Sequence, residues 1–411
     1  MVLQTLLKGR DDMKTAAIIA EYNPFHNGHQ YHIHQTRRRI SSADAVVCIM
    51  SGHFVQRGDC AVADKWTRAR AALLGGADLV LELPVYYSLA VAQLFAFGAV
   101  STLDALGCVD VLSFGIEADS LAPLSFLAEK LAFEFDKIDA QTQKYLDGHT
   151  GYPAARQQAL AALYGADAAL FAAPNNMLAL EYMRQLLLQN STIQPLGVQR
   201  RGAGHHDPHI TSGFASASAL RAALQRGDDI SSSVPPEAYT LYQEAHKNGR
   251  FPIFAKAFDQ MILSFLRRSN AGDLAHVLDM PHGFAGRLIA MASKAGTVDE
   301  LVELCCVKHY TRARIRRLLF ASFLGIPHLG YDKAPAYVRV LGMNQTGQTL
   351  LSRMRESCRL PVITKAANYP EKDTDLLFRL DCKSTDLYNL AFPAPEARKA
   401  GADFTTSPII L

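Results

Sequence analysis

The chain has 411 residues, of which 49% are hydrophobic and 20% charged, a composition that excludes a disordered protein and leaves room for two or three domains. Its net charge of +3 is uneven: residues 1–250 carry −3 and residues 251–411 carry +6, so the second half either meets a polyanion or has a solvated basic surface. Seven cysteines without a Cys-x-x-Cys pair predict neither a disulfide framework nor a zinc site, and a reducing cytoplasm is the expected location.

Short apolar runs alternate with helical patterns in the first part of the chain. The apolar runs predict strands at Ala16–Glu21, Ala43–Met50, Asp78–Leu83 and Val109–Phe114. The helical patterns lie near 28–38, 63–75 and 88–106. Strands joined by helices at this spacing predict an α/β fold with a parallel sheet, which binds ligands beyond the carboxyl ends of its strands.

One segment is long enough to raise the question of a membrane. Leu83–Leu103 runs for 21 residues without a charge, the length of a transmembrane helix. Proline, glycine, glutamine and hydroxyl residues interrupt it, and Asp78 and Glu82 stand just before it. A buried strand that ends at Pro84, followed by a core helix from about Ser88, is therefore the preferred interpretation, with no membrane association.

The first predicted strand ends in "EYNPFHNGH", so a cluster of histidines lies on the first strand-to-helix turn. A helix N-terminus offers free backbone N–H groups and a positive dipole end, both suited to phosphate. Gly28 lets the backbone approach a ligand closely. His26 and His29 are expected to face that space, with His32 one turn further along the helix.

The histidines permit other interpretations. Imidazoles three residues apart on a helix can share a metal ion. Alternatively, His26, His29 and His32 are turn and surface residues without a functional role. The His-x-Gly-His element immediately after a first strand favours a phosphate site. It resembles the signature of the nucleotidylyltransferase and class I aminoacyl-tRNA synthetase superfamily, whose histidines hold the phosphates of ATP.

A second element of that superfamily is a serine-rich helix start with an arginine one turn later. "SASALR", Ser216 to Arg221, opens a helical stretch that runs to Gln225. Alone it also describes a good N-cap followed by a solvated residue. Together with His-x-Gly-His it is a strong sign of a nucleotide site, and the chain has neither a Walker A motif nor a Gly-x-Gly-x-x-Gly motif.

A boundary is predicted where glycine, serine and proline collect, in "RGDDISSSVPPEAY". Beyond it, helical patterns lie near 237–247, 251–267, 283–293 and 311–324. The last of these has an apolar stripe and an arginine-rich remainder, which is either a solvated face or a surface for a nucleic-acid backbone.

The chain resembles the tRNA(Met) cytidine acetate ligase family over nearly its whole length from Met13. The resemblance is carried, in order, by "AEYNPFHNGHQYH", "LSFGIE", "APNNMLALEY", "SASALR" and "KHYTRARIRRLL". It implies a Rossmann-like nucleotidyltransferase domain over 13–230 and a mainly helical tRNA-binding domain over 231–411. It also implies a reaction in which acetate and ATP form acetyl-adenylate, followed by acetyl transfer to the exocyclic amine of the wobble cytidine of elongator tRNA(Met).

The resemblance implies roles for individual residues. Catalysis would use His26, His29 and Arg221. ATP would contact Ile19, Ala20, Glu21, Tyr22, Asn23, Pro24, Phe25, His26, Asn27, Gly28, His29, Gln30, Tyr31, His32, Gly115, Asn175, Arg200 and Arg201. Without the resemblance, Gly115 is a strand-end turn and Asn175 an N-cap. Mg²⁺ is expected to bind mainly through the nucleotide, with no metal site formed by the protein alone.

Second-rank candidates are Ser216, Ser218 and Lys65, and Lys65 either neutralises acetate or phosphate or is a surface lysine. The candidate tRNA contacts are Lys308, Arg312, Arg316 and Arg317, and no obligate protein partner is evident. Two other functions stay open. A small-molecule adenylyltransferase would use the same phosphate elements, although it leaves the basic second half unexplained. A non-catalytic RNA-binding protein would not need His26, Gly28, His29 and Arg221.

Overall fold

A computed structural model describes residues 13–40, 44–146, 150–165, 168, 170, 173–200, 213–307 and 310–411. The strands are β1 (Thr15–Ala20), β2 (Ala45–Ser51), β3 (Phe54–Val55), β4 (Asp59–Cys60), β5 (Leu79–Leu83), β6 (Val111–Ile116), β7 (Gln194–Gln199), β8 (Val338–Met343), β9 (Val362–Ile363) and β10 (Ile409–Ile410).

The helices of the first half are α1 (Asn27–Arg39), α2 (Lys65–Leu74), α3 (Val85–Ser88), α4 (Ala92–Leu106), α5 (Ala122–Phe133), α6 (Phe135–Lys144), α7 (Tyr152–Tyr164), α8 (Pro174–Leu188) and α9 (Ala217–Arg226). Those of the second half are α10 (Pro236–Lys247), α11 (Asp259–Arg268), α12 (Ala271–Leu274), α13 (Phe284–Ala292), α14 (Val298–Cys305), α15 (Arg312–Leu324), α16 (Gln345–Ser357), α17 (Leu376–Asn389) and α18 (Ala402–Thr405). Short 3-10 turns occupy Ser231–Ser233, Ala255–Phe258, Ala366–Asn368 and Pro395–Ala397.

Eight of the described strands form one sheet in the order β10-β8-β5-β2-β1-β6-β7, with β9 also paired to β8. The five strands from β5 to β7 are parallel, and β8 runs antiparallel to β5. This mostly parallel α/β sheet confirms the predicted fold class. Because the chain builds β2 and β5 on one side of β1 and then returns to place β6 on the other, the topological switch point lies between β1 and β6.

The central strands are continuous apolar runs because helices cover both faces of the sheet. Every residue of β2 and of β5 is buried. The predicted strands at 16–21, 78–83 and 109–114 agree with β1, β5 and β6 to within two residues. Residue 43, where the second strand was predicted to begin, lies outside the described residues.

The helix predicted over 88–106 is confirmed as α4, which begins four residues later, at Ala92, because a separate short helix, α3, ends at Ser88 and the chain turns between them. Helix α4 packs in the core, where Gly98 lies against the ring of Tyr87: a Cβ atom on Gly98 would stand 2.1 Å from Tyr87 Cγ. In the part of the chain that the structure describes, no helix combines the length and the apolarity needed to cross a bilayer.

The second half is mainly helical around α11, α13, α14 and α15. The helices predicted at 237–247, 283–293 and 311–324 are confirmed to within one residue at each end. In the range predicted as a helix over 251–267, residues 251–254 have no regular structure, Ala255–Phe258 is a 3-10 turn, and the α-helix begins only at Asp259. Strands β8 and β10 join the sheet of the first half, so the sheet takes residues from both sides of the predicted boundary at 230, which stays a prediction.

Candidate active site

A cavity of about 320 Å³ lies beyond the carboxyl ends of β1 and β6, at the switch point. The turn after β1, the N-terminus of α1 and the start of α9 bound it. Among the residues predicted for ATP, those that line it are Ile19, Ala20, Glu21, Tyr22, His26, Gly28, His29, Tyr31, His32, Gly115, Asn175 and Arg200. Arg221, Ser216 and Ser218 line it as well. The structure thus brings both predicted phosphate elements to one cavity.

The other residues of the first turn shape it without lining the cavity: Asn23, Pro24, Phe25, Asn27 and Gln30. The Asn23 side chain accepts the Val62 N–H at 2.9 Å, and the Phe25 N–H donates to the Tyr242 hydroxyl at 2.9 Å. The turn is therefore held from helix α10 on one side and from the segment before α2 on the other. These hydrogen bonds fix the turn from which helix α1 begins.

His26 and His29 cap helix α1 together. Nδ1 of His26 accepts the Gly28 N–H at 3.0 Å, and Nδ1 of His29 accepts the His26 N–H at 3.3 Å. The two rings stack with centroids 3.7 Å apart. This is a capping box in which two imidazoles replace the usual hydroxyl and carboxylate side chains.

Both imidazoles are neutral donors. Burial lowers the pKa of His26 to about 3, and the positive charges of Arg200 and Arg221 act in the same direction. Burial also holds the pKa of His29 well below its usual value. Because each Nδ1 accepts a backbone N–H, the single proton of each neutral ring sits on Nε2. The cap thus leaves two uncharged N–H donors for a ligand.

His32 is fixed differently. Its Nε2 lies 3.0 Å from Ser113 Oγ on β6, and Ser113 in turn lies 2.7 Å from Thr36 Oγ1. Burial lowers the pKa of His32 to about 4. His26, His29 and His32 therefore use ring nitrogens for separate hydrogen bonds, and in the described residues no group of three or more His, Cys, Asp or Glu is arranged to hold a metal ion.

The second phosphate element has the predicted helix cap and an arginine in the cavity. Ser216 Oγ accepts the Ala219 N–H at 3.1 Å, so the N-cap interpretation holds. Arg221 donates to the Asn23 carbonyl at 2.8 Å and to Ser218 Oγ at 3.2 Å. The guanidinium is thus held against the first turn, beside the two histidines.

The third part of the site comes from β6, β7 and α8. Arg200 donates to Asn175 Oδ1 at 2.7 Å, and the Asn175 amide donates to Glu117. A Cβ atom on Gly115 would stand 3.3 Å from Cγ of Arg200, so glycine leaves room for the arginine to cross the strand end. Arg201 lies outside the described residues.

Sequence reasoning missed the hairpin formed by β3 and β4. Gln56 and Arg57, at its tip, line the cavity, as do Phe95 and Tyr182 from α4 and α8. The signal that was available is "VQRG", a polar pair before a turn glycine directly after a strand. The two aromatic residues belong to helical patterns that reveal burial but not a cavity wall.

Lys65 is neither in this cavity nor on the surface. It is fully buried, and its Nζ lies 2.8 Å from both carboxylate oxygens of Glu82 and 2.7 Å from Asp403. The structure therefore does not place it where it would neutralise acetate or phosphate. Arg68 on the same helix donates to the carbonyls of Glu21 and Ser51, and so links the carboxyl ends of β1 and β2.

The predicted tRNA-binding residues on helix α15 face in two different directions. Arg312 forms an exposed ion pair with Glu303 at 2.9 Å, and Arg316 pairs with Asp299. Arg317 instead turns toward the first half, where it donates to the Gln56 carbonyl at 3.3 Å. Lys308 lies outside the described residues.

The cavity and its histidine cap define a nucleotidyltransferase-type site, and comparisons with known proteins agree. Residues 13–403 match the family described as HIGH Nucleotidyl Transferase. The tRNA(Met) cytidine acetate ligase of Acetivibrio thermocellus is 34% identical over 417 residues, which cover 97% of this chain and 100% of that protein. The ligase of Halothermothrix orenii is also 34% identical, over 95% of this chain and 98% of that one.

Solved structures agree with the sequence comparisons. Thermotoga maritima TmcAL bound with alpha-thio ATP matches with a TM-score of 0.89 at 32% identity, over 97% of this chain and 100% of that one. Its apo form matches with a TM-score of 0.92 at the same identity. The chain therefore belongs to the HIGH nucleotidyltransferases and, within them, to the tRNA(Met) cytidine acetate ligase family.

Proposed function

We propose that this protein joins acetate to ATP as acetyl-adenylate and transfers the acetyl group to N4 of the wobble cytidine of elongator tRNA(Met). The observation that carries the proposal is the cavity at the switch point, where His26 and His29, with each Nδ1 occupied by a backbone N–H, lie together with Arg200 and Arg221. Such a set of donors suits a triphosphate. Full-length similarity to curated ligases supports the choice of substrates.

The first step is an in-line displacement. An acetate oxygen attacks the α-phosphorus of ATP, the bond from the α-phosphorus to the bridging oxygen breaks, and pyrophosphate leaves with that electron pair. Negative charge grows on the phosphate oxygens, and His26 and His29 are placed to donate to it from a preorganised, buried position. Arg221, held against the turn, would bind the departing pyrophosphate.

The second step moves the acetyl group. The exocyclic amine of cytidine attacks the acetyl carbonyl carbon, the bond to the AMP oxygen breaks, and the amine loses one proton. Acetate alone is inert toward this weak nucleophile, and the mixed anhydride removes that obstacle. The products are N4-acetylcytidine, AMP and pyrophosphate from one ATP and one acetate.

Mg²⁺ fits this site only through the nucleotide. Among the cavity residues that the structure describes, Glu21 is the one carboxylate, and its Oε1 already accepts the Gln56 N–H at 3.0 Å. Mg²⁺ needs six oxygen ligands and commonly takes them from phosphates and water. When bound, it would neutralise phosphate charge, and the protein's own donors would do the orienting.

Incubation with labelled acetate, ATP and total tRNA tests the proposal. Label should enter tRNA(Met) only when ATP is present, and a transcript with uridine at the wobble position should stay unlabelled because uridine has no exocyclic amine. The alternative, a small-molecule adenylyltransferase, predicts pyrophosphate release with a nucleotide acceptor and no label in tRNA.

A further inference from the structure

The hairpin between β2 and α2 places a third arginine at the cavity. Val55, Gln56, Arg57 and Gly58 form its turn, closed by a hydrogen bond from the Gly58 N–H to the Val55 carbonyl at 3.0 Å. Arg57 is exposed at the tip and lines the cavity. The steps proposed for ATP give this cation no role.

Contacts with helix α15 and with the end of β1 hold the hairpin in place. Gly58 has a φ of 76° and lies so close to α15 that a Cβ atom there would stand 2.5 Å from the Arg317 backbone nitrogen. Arg317 donates to the Gln56 carbonyl at 3.3 Å. On the cavity side, Glu21 accepts the Gln56 N–H, so the tip is fixed between α15 and the end of β1.

Arg57 enters the cavity from the side of β1 opposite to Gly115 and Asn175, and it lies near enough to Arg200 and Arg221 for its charge to add to burial in lowering the pKa of both guanidinium groups. Gly115, Asn175 and Arg200 stand on the β6 and β7 side of β1. The hairpin follows β2, on the opposite side of β1. We therefore expect the base and ribose on the β6 side of the cavity and the second substrate on its β2 side, beside Arg57.

From this placement we infer that Arg57 binds the carboxylate of the acyl substrate. The inference rests on the proposed function, in which that substrate is acetate. A guanidinium matches a carboxylate with two parallel N–H donors, which orients both oxygens as well as neutralising their charge. Held by Arg57, one carboxylate oxygen faces the α-phosphorus while the methyl group turns away from it. Arg57 would thus select a carboxylate and aim its attack.

The test measures the acetate KM and ATP affinity separately. Arg57→Gln should raise the acetate KM for pyrophosphate release, at saturating ATP, by about 10- to 100-fold, because a charge-assisted pair of hydrogen bonds is removed. Its dissociation constant for a non-hydrolysable ATP analogue, measured by calorimetry without acetate, should stay within about 3-fold of wild type. Arg57→Lys should fall between, since it keeps the charge without the paired donors.

The matched control is Arg70→Gln, because Arg70 is an exposed arginine on α2 away from the cavity. This control should change neither the acetate KM nor the affinity for the ATP analogue. Weaker ATP binding by Arg57→Gln at an unchanged acetate KM would move Arg57 to the phosphate site and overturn the inference. No change in either quantity would overturn it as well. Failure of the wild-type protein to release pyrophosphate with acetate would instead defeat the proposed function, so the two failures are distinguishable.

Discussion

His26 caps helix α1 in the structure and is also the residue proposed to donate to phosphate. Its Nδ1 caps helix α1, and this leaves the Nε2 proton for the cavity. Asparagine is a good helix cap because its side-chain oxygen also accepts a backbone N–H, but it has no donor in the place of Nε2. His26→Asn therefore separates the two roles.

We expect His26→Asn to keep the melting temperature within a few degrees of wild type and to lower acetate-dependent pyrophosphate release by roughly 10²- to 10³-fold, the usual loss for a transition-state donor. His34→Asn is the control, because His34 is an exposed histidine on the same helix. Near-normal pyrophosphate release by His26→Asn would mean that His26 only caps the helix.

The lowered pKa of His26 predicts a loss of stability in acid. The unfolded chain takes up a proton near pH 6.5, whereas the folded chain does so only near pH 3, so stability falls as the pH drops below 6.5. Between pH 7.5 and pH 5, this one group should lower the free energy of unfolding by about 2 kcal/mol.

Urea unfolding at the two pH values measures this effect. His29 and His32 contribute losses of the same sign, so the informative quantity is the difference between wild type and His26→Asn, which cannot titrate at this position. Equal acid losses in the two proteins would show that His26 has an ordinary pKa in the fold.

At the scale of elements, the arginines of helix α15 make two different kinds of contact. Arg312 and Arg316 pair with carboxylates of the preceding helix, whereas Arg317 supports the hairpin beside the cavity. A variant that reverses the charges of Arg316 and Arg317 together would therefore disturb the hairpin at the cavity as well as the proposed RNA surface. A variant that tests RNA binding should therefore leave Arg317 unchanged.

We predict that Arg312→Ala with Arg316→Ala weakens tRNA binding and reduces the slope of log affinity against log salt by about 0.7 to 0.9 for each phosphate that the protein no longer neutralises. Acetyl-adenylate formation without tRNA should be unchanged. Binding measured across a series of salt concentrations tests this, and an unaltered slope would remove the two arginines from the RNA surface.

The sequence predicted those elements whose pattern is local. Strand β2 was predictable because burial on both faces leaves a continuous apolar run, and helix α15 because burial along one stripe leaves an apolar period of 3.6 residues. Strand β7, "QPLGVQ", was not, because proline and glycine interrupt an apolar run. Strand β8, "VRVLGM", was missed because Arg339 interrupts its apolar run, and the sequence does not show that this arginine is buried in ion pairs with Glu82 and Asp403.

The residues of the candidate site also divide into those that a local motif predicts and those that only the fold brings to the cavity. His26, Gly28, His29 and Arg221 were predictable because they belong to two short motifs that a fold of this class brings together. Arg57 was missed because its place at the cavity depends on where the hairpin between β3 and β4 folds back. The burial of Lys65 was not predictable, because it depends on Asp403, far along the chain in the C-terminal segment, which pairs with it.

At the scale of the whole molecule, a buried ion network joins the end of the chain to the sheet. Lys65 and Arg339 face Glu82 and Asp403, with Lys65 2.7 Å and Arg339 2.7 Å from the Asp403 carboxylate. Helix α18, which carries Asp403, is therefore tied to β5 and β8. The C-terminal segment is part of the fold that holds the site.

Lys65→Met should lower the free energy of unfolding by about 3 to 5 kcal/mol, because it leaves buried carboxylates without their partner. Lys137→Met, which removes an exposed pair with Glu134, should change it by less than about 1 kcal/mol. At a temperature where Lys65→Met is folded, its acetate KM should match wild type. A raised acetate KM at unchanged stability would restore Lys65 to the substrate site.

The formation of acetyl-adenylate is tested most directly by following oxygen. Acetate with ¹⁸O in both positions is supplied with ATP and tRNA(Met), and the products are analysed by mass spectrometry. In the proposed reaction an acetate oxygen attacks the α-phosphorus and stays on it, so AMP should carry one ¹⁸O and N4-acetylcytidine the other, in equal amounts. AMP without ¹⁸O, or ADP and phosphate in place of AMP and pyrophosphate, would contradict activation through acetyl-adenylate.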